Sequence, residues 1–575
     1  MVRKELRLAV MLVLSLGAAG PSAYAQVARP LRAGLAFDST LSPGETHRYS
    51  MRLSAGESAN ITVRQIGVDL VLEVRAPDGS LFTTVDSPNG RTGDEPVEIL
   101  ARQRGEYLLL VRPYDGREPV GGYRLQVTAV RDVRATAQLL NARKLARDSA
   151  VAWLRPRSSA IAVTCAVPGS GILPPLDEIA GRVRVLGLGE ATHGSREFGD
   201  FRLSATKRLI ERDGYRLVAI EASESRLALL DRYISGEAIP GVEAAKTIES
   251  GWIGRRTQRE LVGWLRQWNA THQPADRVRL VGLDPQDNRT ARETLGTFLE
   301  AAYGAGVLPR WAAIAHEMAA ADSQVPVFGD SDVDAAVRQS LLEIVAVLEL
   351  DAPLLRRRLG SASVEAAAAA ARQLAQMADF NSNGTATISH RRDWYMGANL
   401  LRALDLAGPT SKAVLWAHNA HVSNPPGQPL ERRTAGAYLR DALGCGYGAF
   451  GLTFGEGAFV AQIPNDLEDR LAVSSLPESP EESIDGVLSK LHPDGAVVAW
   501  KCQPDSASTP GWLRQSHAMH WVGALFTPGT APSQAFRPYD LLRDFDGVVY
   551  LRRVTADELP LDRPLIPARR RAPER

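Results

Sequence analysis

Cysteine is scarce in this chain: Cys165, Cys445 and Cys502 are all it has. At most one intramolecular disulfide forms, one thiol is left over, and the fold cannot rest on a disulfide framework. No sign of charge dominates either. With 67 Lys and Arg against 66 Asp and Glu, the net charge is +1, which gives no field for drawing in nucleic acid or anionic lipid, and neither is expected as a partner. Past Ala25 no run approaches the roughly 18 unbroken apolar residues of a membrane span. Familiar reactive motifs are missing as well. There is no Gly-x-Ser-x-Gly elbow, which argues against a serine nucleophile of the usual α/β-hydrolase kind, and His316-Glu317 lacks the second histidine of a zinc-protease helix. Gly187-Leu-Gly189 begins like a dinucleotide fingerprint, but Thr192 replaces the third glycine, and Glu190 would put negative charge where a pyrophosphate sits. No cofactor is expected.

What is present is an ordinary globular composition, 45% hydrophobic and 23% charged over 575 residues, enough for at least one large core. Residues 1–25 read as an export signal: Arg3, Lys4 and Arg7, then an apolar run through Leu16, then Ser22-Ala23-Tyr24-Ala25 as a small-x-small cleavage site. The expectation is an exported protein, periplasmic or extracellular, whose mature chain starts at Gln26 and where a disulfide is allowed. Arg569-Arg-Arg571, in an Arg/Pro-rich tail over 561–575, reads as solvated chain.

Residues 26–132 carry short alternating strands punctuated by Pro43-Gly44, Pro77-Asp78-Gly79, Asn89-Gly90 and Asp115-Gly116, the pattern of a small all-β sandwich of jelly-roll type. Residues 133–156 have helical spacing and form a connector closed by Pro156. From 157 to 560 the pattern is α/β: strands near Val183–Leu186, Tyr215–Glu221, Arg279–Leu283 and Ala413–Ala417, with Ala449–Phe454, Ala496–Trp500 and Val548–Leu551 completing the sheet. A helix is expected from Ser195, as its cap, to Gly214, its terminator. The long helical stretch at about 291–379 is too large for a simple crossover and is expected to form a lid. The fold class is therefore an α/β catalytic domain with a mainly parallel sheet and a large helical insertion, preceded by the β-sandwich.

Parallel strands joined by crossovers end at one edge, where open α/β sheets bind ligands. Four strands end on a titratable residue, namely Glu190, Glu221, Asp284 and His418, and His193 and His421 stand close by. One such residue is usually a cap or a loop ion pair; four at one edge point to chemistry. Carboxylates orient imidazoles and raise their basicity, and histidine takes and gives protons near neutral pH.

Two resemblances follow from the residues. Leu41-Ser-Pro-Gly44, Pro77-Asp-Gly79, Gly105-Glu-Tyr107 and Gly122-Tyr123 resemble the bacterial pre-peptidase C-terminal domain, which implies an accessory module of secreted hydrolases. Gly189-Glu-Ala-Thr-His-Gly194, Arg202, Glu221, Gly282-Leu-Asp284, Arg392-Asp393 with Met396, and Ala417-His-Asn-Ala-His421 resemble the erythromycin esterase family, over about Leu173 to Arg552. That likeness implies hydrolysis of a small-molecule carboxylic ester, including a macrolide lactone, without a covalent enzyme intermediate. By the same likeness His193 is the general base, oriented by Glu190 or Glu221. Arg202, about two and a half helical turns on, reaches Glu221 or an anionic intermediate, and His418 and His421 stabilise the oxyanion or protonate the leaving alkoxide. Trp252, Asp284, Arg392 and Trp394 are the substrate-contact candidates. Two other readings use the same residues: a metal-dependent hydrolase with zinc or manganese held by the Glu/His cluster, and a small-molecule binder without turnover.

Overall fold

The computed structural model describes residues 28–87, 89–116, 118–161, 173–237, 256–286, 289–304, 335–381, 385–428, 433–464, 470–500, 502, 508–529, 532–558 and 565–566. The expected export signal, Cys165, Trp252, the middle of the expected lid and all of the tail but two residues lie outside these. The chain divides into two compact units, 1–140 and 141–575.

The first unit contains two sheets. One orders β1 (Arg29–Pro30), β3 (His47–Leu53), β8 (Gly105–Pro113), β5 (Leu70–Arg75) and β6 (Leu81–Val85); the other orders β2 (Ala36–Leu41), β9 (Gly121–Arg131), β4 (Ser58–Ile66) and β7 (Thr92–Leu100). Alternation decides which side of each strand is buried. Tyr107, Leu109 and Val111 on β8 and Tyr123, Leu125 and Val127 on β9 are buried at every second position, as the period of two in a strand requires. These residues join one apolar core. The short strands β1 and β2 escaped the sequence reading because they carry few core positions.

The second unit is built on a ten-stranded sheet whose main path runs β10 (Ser158–Ala160), β17 (Gly495–Ala499), β20 (Gly547–Val554), β15 (Tyr447–Gln462), β11 (Val185–Leu188), β14 (Lys412–Trp416), β12 (Tyr215–Ser223) and β13 (Arg279–Asp284). From β20 to β13 every pairing is parallel, while β17 runs antiparallel to β20 and β10 to β17. The sheet is therefore mixed and mainly parallel. Central β11 is buried at all four residues, which is why it reads as an unbroken apolar run rather than an alternating one.

The turn after β11 is fixed by local chemistry. Ser195 caps the helix Arg196–Asp213 by accepting from the Phe198 N–H at 3.4 Å, and Gly214 ends it at φ 72°. Gly194 is pressed against β15: a Cβ there would lie 1.8 Å from the Val460 carbonyl oxygen, so any side chain would force the turn off the sheet.

The described part of the helical insertion comprises Arg289–Tyr303, Ala335–Leu359 and Ser361–Asn381, with a core of its own that includes Leu295, Leu299, Leu341, Leu348 and Leu374. It is tied to the strand ends: Gln373 Oε1 accepts from the Ser225 N–H and hydroxyl, and Gln373 Nε2 donates to the Gln286 carbonyl. The next helix, Thr385–Ala407, turns Met396, Leu400 and Leu404 into the sheet core. Cys445 and Cys502 form a disulfide, with Cα atoms 5.8 Å apart.

Candidate active site

Glu190 and His193 stand in the turn between β11 and its helix. Glu190 Oε1 lies 2.7 Å from His193 Nδ1, and Arg202 Nη2 lies 2.6 Å from Glu190 Oε2. Both Glu190 and Arg202 are buried. Arg202 thus pairs with Glu190 rather than Glu221, and its guanidinium rests over the Trp416 ring at 4.9 Å. The helix faces this side chain toward the strand end, and a buried cation there needs the carboxylate opposite it. With Nδ1–H donated to Glu190, the lone pair of His193 is on Nε2.

Arg392, on the helix after the insertion, joins the other residues. Its Nε and Nη2 grip Asp284 at 2.9 and 2.7 Å, Nη2 also donates to Glu221 Oε1 at 2.8 Å, and Nη1 lies 3.0 Å from His421 Nε2. His421 Nδ1 meets Asp393 Oδ1 at 2.7 Å, and that oxygen also accepts from the Ala435 N–H. His421 Nε2 is 3.1 Å from Glu221 Oε1. Burial alone would lower the pKa of His421, but Asp393 and Glu221 outweigh it and push it up to about 10. Two carboxylates face the ring, Asp393 at Nδ1 and Glu221 at Nε2, against the one guanidinium of Arg392, and they favour its charged form. Burial likewise works to raise Glu221, yet His421, Arg392 and His193 hold it well below the usual carboxylate range.

His418 behaves differently. Its Nδ1 accepts from the Ala420 N–H at 3.1 Å, its Nε2 lies 3.2 Å from the Ala191 carbonyl, and its backbone N–H donates to Glu221 Oε2 at 2.8 Å. Burial first and His193 next push its pKa down to about 3. It is a neutral ring with both nitrogens engaged by backbone, the cap of the one-turn helix Asn419–Val422. Its ring centroid lies 5.3 Å from that of His193 and 5.3 Å from that of Trp521.

The sheet edge therefore brings together Glu190, His193, Arg202, Glu221, Asp284, Arg392, His418 and His421. Arg392 holds both Asp284 and Glu221 in place. Trp394 stacks on Tyr395 and sits about 200° round the helix from Arg392, so it is not part of the cluster; Trp252 lies outside the described residues. Asp393 was quoted in the sequence only as a neighbour of Arg392. The adjacency of an arginine and an aspartate on a helix was its one signal. Trp521 had none.

The fold and the site define a class: an α/β protein with two carboxylate–imidazole pairs at the carboxyl edge of a mainly parallel sheet. The family model of erythromycin esterase matches residues 210–554, more than half of the chain, and the chain belongs to that family. Glu190, His193 and Arg202 precede the matched span. Erythromycin esterase type I of Escherichia coli is 23% identical over 265 residues, which is 42% of this chain and 63% of that relative; the chain thus spans less than two thirds of its length. A Bacillus cereus protein of known structure superposes with a TM-score of 0.59 at 19% identity, covering 72% of this chain and 99% of the other. A succinoglycan biosynthesis protein superposes at 0.56 and 16% identity, covering 73% and 99%. At these identities the likeness is one of fold.

Proposed function

We propose that this protein hydrolyses carboxylic esters by water that His193 activates, with no covalent enzyme intermediate. The observation that carries the reading is the buried chain Arg202–Glu190–His193, which fixes the imidazole in one tautomer with Nε2 as proton acceptor. Water gives its proton to Nε2 as its oxygen bonds to the carbonyl carbon. The tetrahedral oxyanion collapses, the ester C–O bond breaks, and the departing alkoxide takes the proton back. His421, cationic beside Glu221, is the group that favours negative charge developing nearby.

Family membership supports ester chemistry, and the name of the Escherichia coli relative makes macrolide lactones the first substrates to test. The apolar stretch ahead of Ser22-Ala23-Tyr24-Ala25 and the disulfide support an exported protein. The test is mass spectrometry of erythromycin and a panel of simple esters incubated with protein. Addition of one water with wild type and none with His193→Asn is the expected result; equal turnover by both would overturn it. In the metal-dependent reading the lone pairs of His418 would serve as ligands, but that ring is committed to backbone partners. Loss of activity with a chelator and recovery with zinc or manganese would reinstate that reading.

A further inference from the structure

Beyond the paired carboxylates and imidazoles, one large side chain at the same edge has no part in the proton chemistry. Trp521 follows the short strand β18 (His517–His520), which pairs antiparallel with β19 (Phe536–Tyr539). Two backbone bonds fix its place. Its own N–H donates to the Ala535 carbonyl at 2.7 Å, and the next residue, Val522, donates to the Ala191 carbonyl at 2.6 Å. Ala191 lies between Glu190 and His193, so the segment is stitched directly to the turn that carries the proposed base.

The indole meets the His418 ring edge-on, at an interplanar angle of 85°, while His418 in turn packs against His193. One flank of the indole lies under the Arg537 guanidinium, 4.5 Å from the ring centroid. Arg537 Nη1 is itself held by the carbonyls of Gln534 and Phe536 at 2.9 and 2.8 Å. The stacked cation keeps the indole in one rotamer, a cation–π contact of the usual kind. His418 is buried, but Trp521 is only half-buried. An indole fixed in this way, partly exposed and one ring away from the proposed base, offers an apolar face beside the site.

We propose that Trp521 is a wall of the substrate site and selects esters whose acyl or alcohol part presents a broad apolar ring. Arg537 is its positioning residue. The inference rests on the ester-hydrolase reading and deepens it, because the carboxylate–imidazole pairs act on any ester while the indole favours bulky apolar ones. Covering the exposed part of an indole with an apolar ring is a contact made equally in ground and transition states, so its loss raises KM and leaves kcat nearly unchanged.

The test compares 4-nitrophenyl cyclohexanecarboxylate with 4-nitrophenyl acetate, which share a leaving group and differ in acyl bulk. In Trp521→Ala the ratio of kcat/KM for the cyclohexyl ester to that for the acetate should fall about tenfold, through a rise in KM for the cyclohexyl ester. Trp521→Phe should recover most of the ratio, and thermal melts matching wild type report that both variants are folded. In Arg537→Leu the ratio should fall in the same direction by a smaller factor, and Arg537→Lys should restore it. A ratio unchanged in Trp521→Ala, with wild type active on both esters, overturns the role of the indole alone. Wild type inactive on both, and on the panel above, overturns the hydrolase reading and this inference with it.

Discussion

Arg202 Nη2 stands 2.6 Å from Glu190 Oε2, and both side chains are almost wholly shielded from water. Glu190 is thereby held between a guanidinium on one oxygen and His193 on the other. A buried charge without its partner is costly, so this pair is a structural commitment as well as a device for orienting the imidazole.

Removing one partner should therefore cost more than removing both. Glu190→Gln leaves Arg202 uncompensated and should destabilise the fold by roughly 3–5 kcal/mol, whereas the double variant Glu190→Gln/Arg202→Met should recover a substantial part of that loss. Denaturant midpoints of wild type, Glu190→Gln, Arg202→Met and the double variant measure it. Strict additivity of the two single changes would mean that the ion pair is not coupled in solution.

The base is tested on turnover. A general base contributes about 100- to 10,000-fold, so His193→Ala and His193→Asn should each lose at least roughly two orders of magnitude in kcat on any ester the wild type hydrolyses, with less change in binding. Asparagine keeps a hydrogen bond but cannot take the proton, and near-normal turnover by that variant would remove His193 from the mechanism.

A buried carboxyl behind the β18 strand gives a pH signature of stability. Asp485 lies within β15's polar contacts, accepting from the Thr453 hydroxyl and from the His520 N–H, and burial pushes its pKa up to about 7. A carboxyl raised in the folded state contributes stability at low pH that is lost as pH climbs from about 4 through 7. Asp485→Asn keeps both hydrogen-bond partners and cannot ionise. Its melting temperature should therefore fall less than that of wild type between pH 5 and pH 8. Parallel curves for the two proteins would show that Asp485 titrates normally.

The disulfide closes a segment of 57 residues between Cys445 and Cys502. Loop-closure entropy for that length gives about 4 kcal/mol of stabilisation. Cys502→Ser should lower the unfolding free energy by an amount of that order, and thiol labelling of denatured, unreduced protein should find one reactive group, Cys165. Three labelled thiols would mean that the bridge does not form.

The local signals in the sequence were strong enough to settle the frame. Apolar β11 followed at once by Glu190 and His193, the Ser195 cap and the Gly214 stop are decided by neighbours a few residues apart, through turn geometry and capping hydrogen bonds. The run of strands that end on Glu221, Asp284 and His418 likewise placed those residues at one edge, because parallel strands share an edge whatever the side chains. Partner choice was not legible in this way. Arg202 chooses Glu190 over Glu221, Arg392 clasps Asp284 across 108 positions, and Asp393 rather than a strand-end carboxylate takes His421. Each depends on which of several nearby charges lies within about 3 Å once the helix after the insertion has packed its apolar face on the sheet. The same holds for His418, whose rank as a candidate proton donor came from its position in the motif and whose lowered pKa comes from burial and the neighbouring His193. Sequence alone determined which residues reach the edge; only the tertiary packing decided which of them carry charge, which hold one another, and that Trp521 stands beside them, because those outcomes rest on contacts between segments far apart in the chain and on the water that packing excludes.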